Sequence, residues 1–266
     1  MSETDPPLRF WPQAADVGVS VAVTTRHGGV SQPPYDSLNL GLHVGDDQDR
    51  VIVNRVRAAR AFGVPLRTMV FADQVHGAGV TVVDHTDQGR GIGSTADAVP
   101  RTDILVTTAT DTTLVILVAD CVPLALVDPE AHVLGAVHAG WRGTAAGAIA
   151  HALNAMARLG ARPERTMAFV GPAVHPARYQ VSGEVERALA GAIAPVALDR
   201  DVARPDGPDH WLIDLPAANR QQLREAGVDP AHIFGNGAST TDDDFYSDRA
   251  ARPCGRFGLL ARLLPT

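Results

Sequence analysis

His76, Cys121 and His138 are the three side chains best suited to hold a soft or borderline metal ion. They lie in the short stretches "DQVHG" (73–77), "VADCVPL" (118–124) and "VHAGWRGT" (137–144). Each is followed within a residue or two by Gly or Pro, where a strand should stop and present its last side chain. Two imidazoles and a thiolate, with water in the fourth position, make an open tetrahedral zinc site. Such an ion lowers the pKa of its bound water to about 7. The intervals of 45 and 17 residues differ from the tight C-x-x-C spacing of structural zinc. Spacing alone therefore also fits a buried cysteine after a strand and two loop histidines.

The residues around these three sharpen the reading. After His138, the run Ala139-Gly140-Trp141-Arg142-Gly143-Thr144 reads as a tight turn feeding a helix. Arg142 beside the first amides of that helix would make a pocket for phosphate or carboxylate. Asp120, next to Cys121, is placed to orient a ligand or transfer a proton, or is simply a polar strand end. A second chemistry is open to the same residues. Cys121 would be a nucleophile and His138 its base, as in cysteine hydrolases.

The elements that must position these residues follow from periodicity. Residues 17–25 form a strand, and Asp47 to Phe62 a helix ended near Gly63. Short β-branched runs lie at 68–71, 79–84 and 104–107. The strongest strands are 113–120, 123–128 and 132–138, whose continuous apolar character implies burial on both faces. An Ala-rich helix is expected over 144–159, with further helices at 183–193 and 215–226. Strands at 166–170, 211–213, 232–235 and 257–263 complete the pattern, and 200–210 reads as a loop. Without regular βαβ alternation this is a mixed α/β (α+β) layered sandwich of sheet and helices, in one domain over residues 1–266. The first 15 or so residues are expected to be flexible.

Composition narrows the class. A chain of 266 residues, 45% apolar and 20% charged, can bury a substantial core. A net charge of −7 argues against nucleic acid or anionic membrane as the main partner. All 23 basic residues are arginine, which excludes a Walker-A lysine, a Schiff-base lysine and a Ser-Lys dyad. Two cysteines do not make a disulfide framework. The stretch "MSETDPPLRFWP" has no basic segment followed by an apolar one, and no apolar run approaches about 20 residues. A cytoplasmic protein is expected.

The stretches "TTRHGGVSQPPYDSLNLGLHVGDD", "DQVHG", "VADCVPL", "VHAGWRGT", "GPAVHPARYQV" and "FYSDRAARPCGR" together resemble the YfiH/laccase-domain family, also termed polyphenol oxidase or multicopper oxidase-like. They occur in matching order from about Thr24 to Leu263. The resemblance implies a single-domain layered fold and a zinc at the matching His76, Cys121 and His138. It also implies phosphorolysis of adenosine, inosine, guanosine and methylthioadenosine, with deamination of adenosine. Purine nucleosides and phosphate would be the partners of a monomer. Arg26, Asn39, Gln74 and Arg142 fall in matching motifs and are expected to line the substrate pocket, with Cys121, Asp120 and Arg142 in catalysis. The sequence departs from the family in places. Ala177-Arg178-Tyr179-Gln180 stands where relatives often have Cys-Cys-Tyr-Glu, Ser239-Thr240 where many have Cys-Thr, and Ala250 in place of a second arginine.

The laccase label can be weighed on the residues. Multicopper oxidation needs several His-x-His pairs, and the ten histidines include none. Copper could still take the triad, since it outcompetes zinc at many nitrogen and sulfur sites. The alternatives to nucleoside chemistry are thus a copper-dependent polyphenol oxidase, a cysteine hydrolase or amidase acting on a cell-wall precursor, and a metal-stabilised binding module without turnover.

Overall fold

The computed structural model describes residues 8–192, 202–235 and 237–265. In chain order the strands are β1 (Leu8–Phe10), β2 (Val19–Thr24), β3 (Met69–Phe71), β4 (Val80–Val82), β5 (Ile104–Thr107), β6 (Thr113–Val118) and β7 (Val122–Asp128). They continue with β8 (Val133–Ala139), β9 (Met167–Val170), β10 (Gln180–Ser182), β11 (Ala203–Pro205), β12 (His210–Ile213), β13 (Ile233–Gly235) and β14 (Phe257–Leu263). The helices are α1 (Pro12–Ala15), α2 (Gln48–Phe62), α3 (Trp141–Ala145), α4 (Ala148–Ala157), α5 (Gly183–Ala190) and α6 (Leu215–Glu225).

Two mixed sheets make the centre. One runs β1-β2-β14-β6-β3, the other β13-β9-β7-β8-β5-β4, and a small sheet runs β10-β12-β11. Strand alternation decides what packs where. On β8, Leu134 and Ala136 join Ile116 and Leu259 of the five-stranded sheet in a core between the two sheets. Val133 and Val137 face the other way, onto Ile149, Leu153 and Met156 of α4. On the five-stranded sheet, Val115, Leu117 and Leu260 pack outward against Ala58, Ala59 and Phe62 of α2. The result is a helix–sheet–sheet–helix stack, matching the layered mixed architecture expected. Both central sheets are covered on both faces, which explains the continuous apolar runs of β6, β7 and β8.

Several expectations change in detail. The single helix over 144–159 is two helices, α3 and α4, because Gly147 takes a left-handed φ of +76° between them. The segment from Leu8 onward is not a loose tail. β1 pairs antiparallel with β2, and Trp11 is only 4% exposed, because a large indole repays ordering of a short segment. Within 200–210, residues 200 and 201 lie outside the described ones, but Ala203–Pro205 is a strand. Proline is tolerated there because β11 is an edge strand. The end of the helix expected over 183–193 likewise falls partly outside the described residues. No helix among the described residues is long and apolar enough to cross a membrane.

At the far end of β7, buried Asp128 accepts hydrogen bonds from the amides of Ala131 and Arg162 and from the Arg165 guanidinium, the last at 2.7 Å. Burial alone would push this carboxyl up. The amides and Arg165 outweigh it and hold it below the usual range. Asp128→Asn should therefore cost about 2 kcal/mol near neutral pH. Because the folded-state pKa is depressed, the difference is fully present above about pH 4 and shrinks as the pH falls through the folded-state value. Denaturant melts of both proteins across pH 3–7 check this; a gap independent of pH would remove the carboxylate's charge from the account.

Candidate metal centre and its cavity

Two of the chain's passages between the two central sheets carry a candidate ligand each. The first joins β3 to β4 and contains His76 mid-loop, at a left-handed φ of +61°. The second joins β6 to β7 through Ala119, Asp120 and Cys121. Asp120 sits at φ +89°, a strained value for a residue with a Cβ, which lets the chain turn sharply from one sheet into the other. On β8, His138 is in register with Pro123, two residues from Cys121 and on the same strand face. The ligands are thus one loop residue, one residue just ahead of a strand and one next to last in a strand, rather than three strand ends.

These placements bring His Nδ1 or Nε2 atoms and the Cys121 Sγ within 4.8 Å of one another. A single ion with bonds of about 2.0–2.3 Å fits among donors this close, and an N₂S set suits zinc or copper rather than a hard cation. Gly140 lies against the group: a Cβ there would meet Cys121 Sγ at 2.9 Å and His76 Cδ2 at 3.4 Å. A side chain at this position would press into the ligands.

Asp103, just ahead of β5 and fully buried, organises the ligands and is the residue that sequence reasoning missed. Its Oδ1 accepts from the His76 amide at 2.9 Å and its Oδ2 from the Gly77 amide at 2.7 Å. The same Oδ1 lies 2.8 Å from His138 Nδ1. With Nδ1 held there, Nε2 is the nitrogen left for a ligand, the carboxylate–histidine arrangement common behind metal-binding imidazoles. Burial pushes the Asp103 carboxyl up, but the bonds from His138, Gly77 and His76 win and lower it. Burial also raises the Cys121 thiol, yet His138 and His76 outweigh that and bring it down to about 6. For His138, burial lowers the imidazole while Cys121 and Asp103 raise it further, to about 9. The site favours a thiolate, the form that binds metal or acts as a nucleophile.

The group opens on a cavity of about 560 Å³, bordered also by Arg142, Gln74, Asp120, Tyr179 and Arg249. The other sequence-derived residues do not all meet there. Arg142 does, with its guanidinium 4.3 Å from the Trp141 ring centroid. The helix it was to share is only the five residues of α3, too short for a macrodipole to build, so the guanidinium itself is the anion-binding group. Gln74 borders the cavity, but its amide donates to the Leu117 carbonyl and accepts from the Leu117 amide, both at 2.8 Å. It extends the ladder of β6. Asp120 accepts from Thr240 Oγ1 at 2.5 Å, Ser247 Oγ at 2.7 Å and the Arg249 amide at 2.6 Å. Three donors on the connection between β13 and β14 make it a strut for the cavity wall.

Asn39 and Arg26 are corrections. Asn39 is fully buried away from the cavity, where its amide binds Gly41, Asp46 and the Arg256 amide. A polar residue with so many local partners is fixing a loop. Arg26 borders a separate cavity of about 400 Å³, holding Asp36 and lying 4.9 Å from the Tyr246 ring centroid. Besides Asp103, sequence reasoning missed Tyr179 and Arg249 as cavity residues. Both stand in the quoted stretches "GPAVHPARYQV" and "FYSDRAARPCGR", which was the available signal.

Asp103→Ala should lower the unfolding free energy of the metal-free protein by about 3 kcal/mol, since it strands two buried amides and an imidazole N–H. Chemical denaturation measures it. A loss below about 0.5 kcal/mol would show that the loop and β8 hold their positions without the carboxylate.

Comparison with known proteins agrees with this architecture. Residues 20–263 match the family described as multi-copper polyphenol oxidoreductase laccase. YlmD of Geobacillus stearothermophilus, named a purine nucleoside phosphorylase, is 39% identical over 238 residues, covering 88% of this chain and 86% of that protein. A purine nucleoside phosphorylase of Mycobacterium tuberculosis is 39% identical over 248 residues, 92% of each chain. The crystal structure of YlmD superposes with a TM-score of 0.91 at 37% identity, covering 96% of this chain and 94% of that one. That of Bacillus licheniformis YfiH gives 0.92 at 31% identity, covering 97% of each. The chain with its two packed sheets and its His-Cys-His group belongs to the laccase-like YfiH family.

Proposed function

We propose that this protein is a zinc-dependent purine nucleoside enzyme. Its reactions are the phosphorolysis of adenosine, inosine, guanosine and methylthioadenosine, and the hydrolytic deamination of adenosine. One observation carries the reading: His76, Cys121 and His138 border the same cavity as Arg142, in a chain whose relatives are named purine nucleoside phosphorylases. When bound, zinc supplies Lewis acidity and a water of lowered pKa. His76, Cys121 and His138 would hold it, with Asp103 keeping the His138 ring in place. Arg142, itself exposed, offsets the negative charge of the attacking phosphate. Asp120 holds the cavity wall in shape through Thr240, Ser247 and Arg249.

A second reading is favoured by the Asp103–His138–Cys121 series, with Asp103 2.8 Å from His138 Nδ1 and the Cys121 thiol lowered to about 6. Those are the parts of a cysteine hydrolase: nucleophile, base and orienting carboxylate. Alkylation separates the two. A zinc-bound Cys121 is protected from iodoacetamide until chelation, whereas a free nucleophile reacts at once.

Purified protein is expected to carry about one zinc per chain. Cys121→Ala should lose both metal and activity. Cys254→Ala, at a buried cysteine outside the ligand group, should keep both. Metal analysis of the variants decides, and full occupancy in Cys121→Ala would sink the ligand assignment.

Adenosine should give inosine in phosphate-free buffer, and adenine plus ribose 1-phosphate once phosphate is added. Arg142→Ala should slow base release by about tenfold or more, and more than it slows deamination. His76→Ala should abolish both. Product chromatography reads the outcome. If metal-loaded protein leaves every purine nucleoside intact but cleaves an amide, the hydrolase reading replaces this one.

A further inference from the structure

The arginines bordering the cavity differ in what already occupies them. Arg252 and Arg256 are paired with Asp248. Arg55 is buried and spends its N–H groups on the carbonyls of Leu40, Gly91 and Ile92. Arg142 and Arg249, by contrast, have no carboxylate in ion-pair range among the described residues. Each is laid on an aromatic ring instead, Arg142 on Trp141 and Arg249 on Tyr179, the latter with its Cζ 5.2 Å from the ring centroid. Stacking fixes a guanidinium's plane and leaves its N–H edge free for a planar or tetrahedral oxyanion.

Arg249 is held at both ends. Its amide donates to Asp120 Oδ2 at 2.6 Å, and its Nη1 donates to the Gln180 carbonyl at 2.9 Å. Tyr179 is held by its main chain, its amide donating to Pro176 and its carbonyl accepting from Ile213. Its phenol borders the cavity within electrostatic reach of Cys121, Arg249, Asp120 and Arg142. Among the described residues its hydroxyl has no hydrogen-bond partner. A neutral donor and two unpaired cations thus converge beside the His-Cys-His group.

We propose that the Tyr179 hydroxyl and the guanidiniums of Arg142 and Arg249 form the subsite for inorganic phosphate, with Tyr179 donating to one phosphate oxygen. Its part in catalysis rests on the nucleoside phosphorylase reading; its part in binding does not. In the reaction, a phosphate oxygen forms a bond to C1′ of the ribose while the C1′–N9 electron pair leaves with the purine. The remaining proton of the hydrogenphosphate passes to the purine, and ribose 1-phosphate is left as a dianion. Tyr179 keeps its proton throughout, because burial pushes its phenol above the usual tyrosine value. It positions the nucleophile.

Tyr179→Phe removes the hydroxyl and keeps the ring under Arg249, so the fold should survive, which a thermal melt verifies. Titration calorimetry of the metal-loaded protein with inorganic phosphate is expected to show about tenfold weaker binding in Tyr179→Phe, and at least that in Arg249→Gln. In turnover the loss should appear in KM for phosphate rather than in kcat. Unchanged phosphate affinity in both variants overturns the proposal. Adenosine 5′-monophosphate, used in place of phosphate, separates the free anion from an ester, and Tyr179-dependent binding of the ester alone also overturns it. If wild-type protein binds phosphate through Tyr179 but cleaves no nucleoside, the subsite stands and the phosphorylase reading falls. If it cleaves nucleosides with phosphate and neither variant changes KM for phosphate, the reading stands and the subsite falls.

Discussion

The candidate site depends first on one buried carboxylate. Asp103 is fully enclosed, and a charge there is tolerable only if its lone pairs are satisfied. It meets that condition by taking two amides from the β3–β4 crossing and an imidazole nitrogen from β8. The demand for partners works in both directions. The carboxylate needs donors, and the donors belong to the backbone of His76 and the ring of His138. Satisfying Asp103 therefore sets the loop against the strand and both against Cys121. A buried polar network of this kind is strong when complete and costly when any member is removed.

Asp120 plays the matching part on the other side of Cys121. Its strained backbone makes the second crossing, while its side chain gathers Thr240, Ser247 and the Arg249 amide. The two carboxylates have opposite spatial duties. Asp103 reaches inward and fixes ligand geometry, whereas Asp120 reaches outward and fixes the loop that brings Arg249 to the cavity. The chain carries a net charge of −7, yet this local arrangement leaves two guanidiniums beside the site without a carboxylate partner among the described residues. Anionic substrates are therefore compatible with an acidic protein, because the field that matters is that of the cavity rather than of the whole surface.

Much of the frame was legible in the sequence. The continuous apolar runs of β6, β7 and β8, the strands β2 and β14, and the Gly63-ended α2 all appear within the ranges read from the sequence. What was illegible had physical reasons. Gly147 sits in a run whose alanines favour helix, and only its left-handed φ shows the break. β10 and β11 are three-residue strands in a polar stretch, one ending at a proline. Asp103 reads as a polar residue before a strand, since two of its donors are backbone amides 26 and 27 residues away, which leave no mark on side-chain pattern. Asn39 and Arg26 show the converse. They stand in stretches as distinctive as those of the ligands, but distinctiveness does not separate a residue that holds a loop from one that meets a substrate.

The departures of this chain from the usual family pattern can be placed on the same frame. Ala177 and Arg178 occupy the exposed turn before Tyr179, and Ala250 is exposed just beyond Arg249. Ser239 is half-buried and bonds within its own turn, while Thr240 keeps its hydroxyl on Asp120. These substitutions therefore lie outside the lining of the metal-site cavity and involve neither Asp103 nor the three ligand side chains. A network of buried charges resists change because each loss leaves a partner unsatisfied. An exposed turn carries no such penalty, and it is there that the sequence has moved.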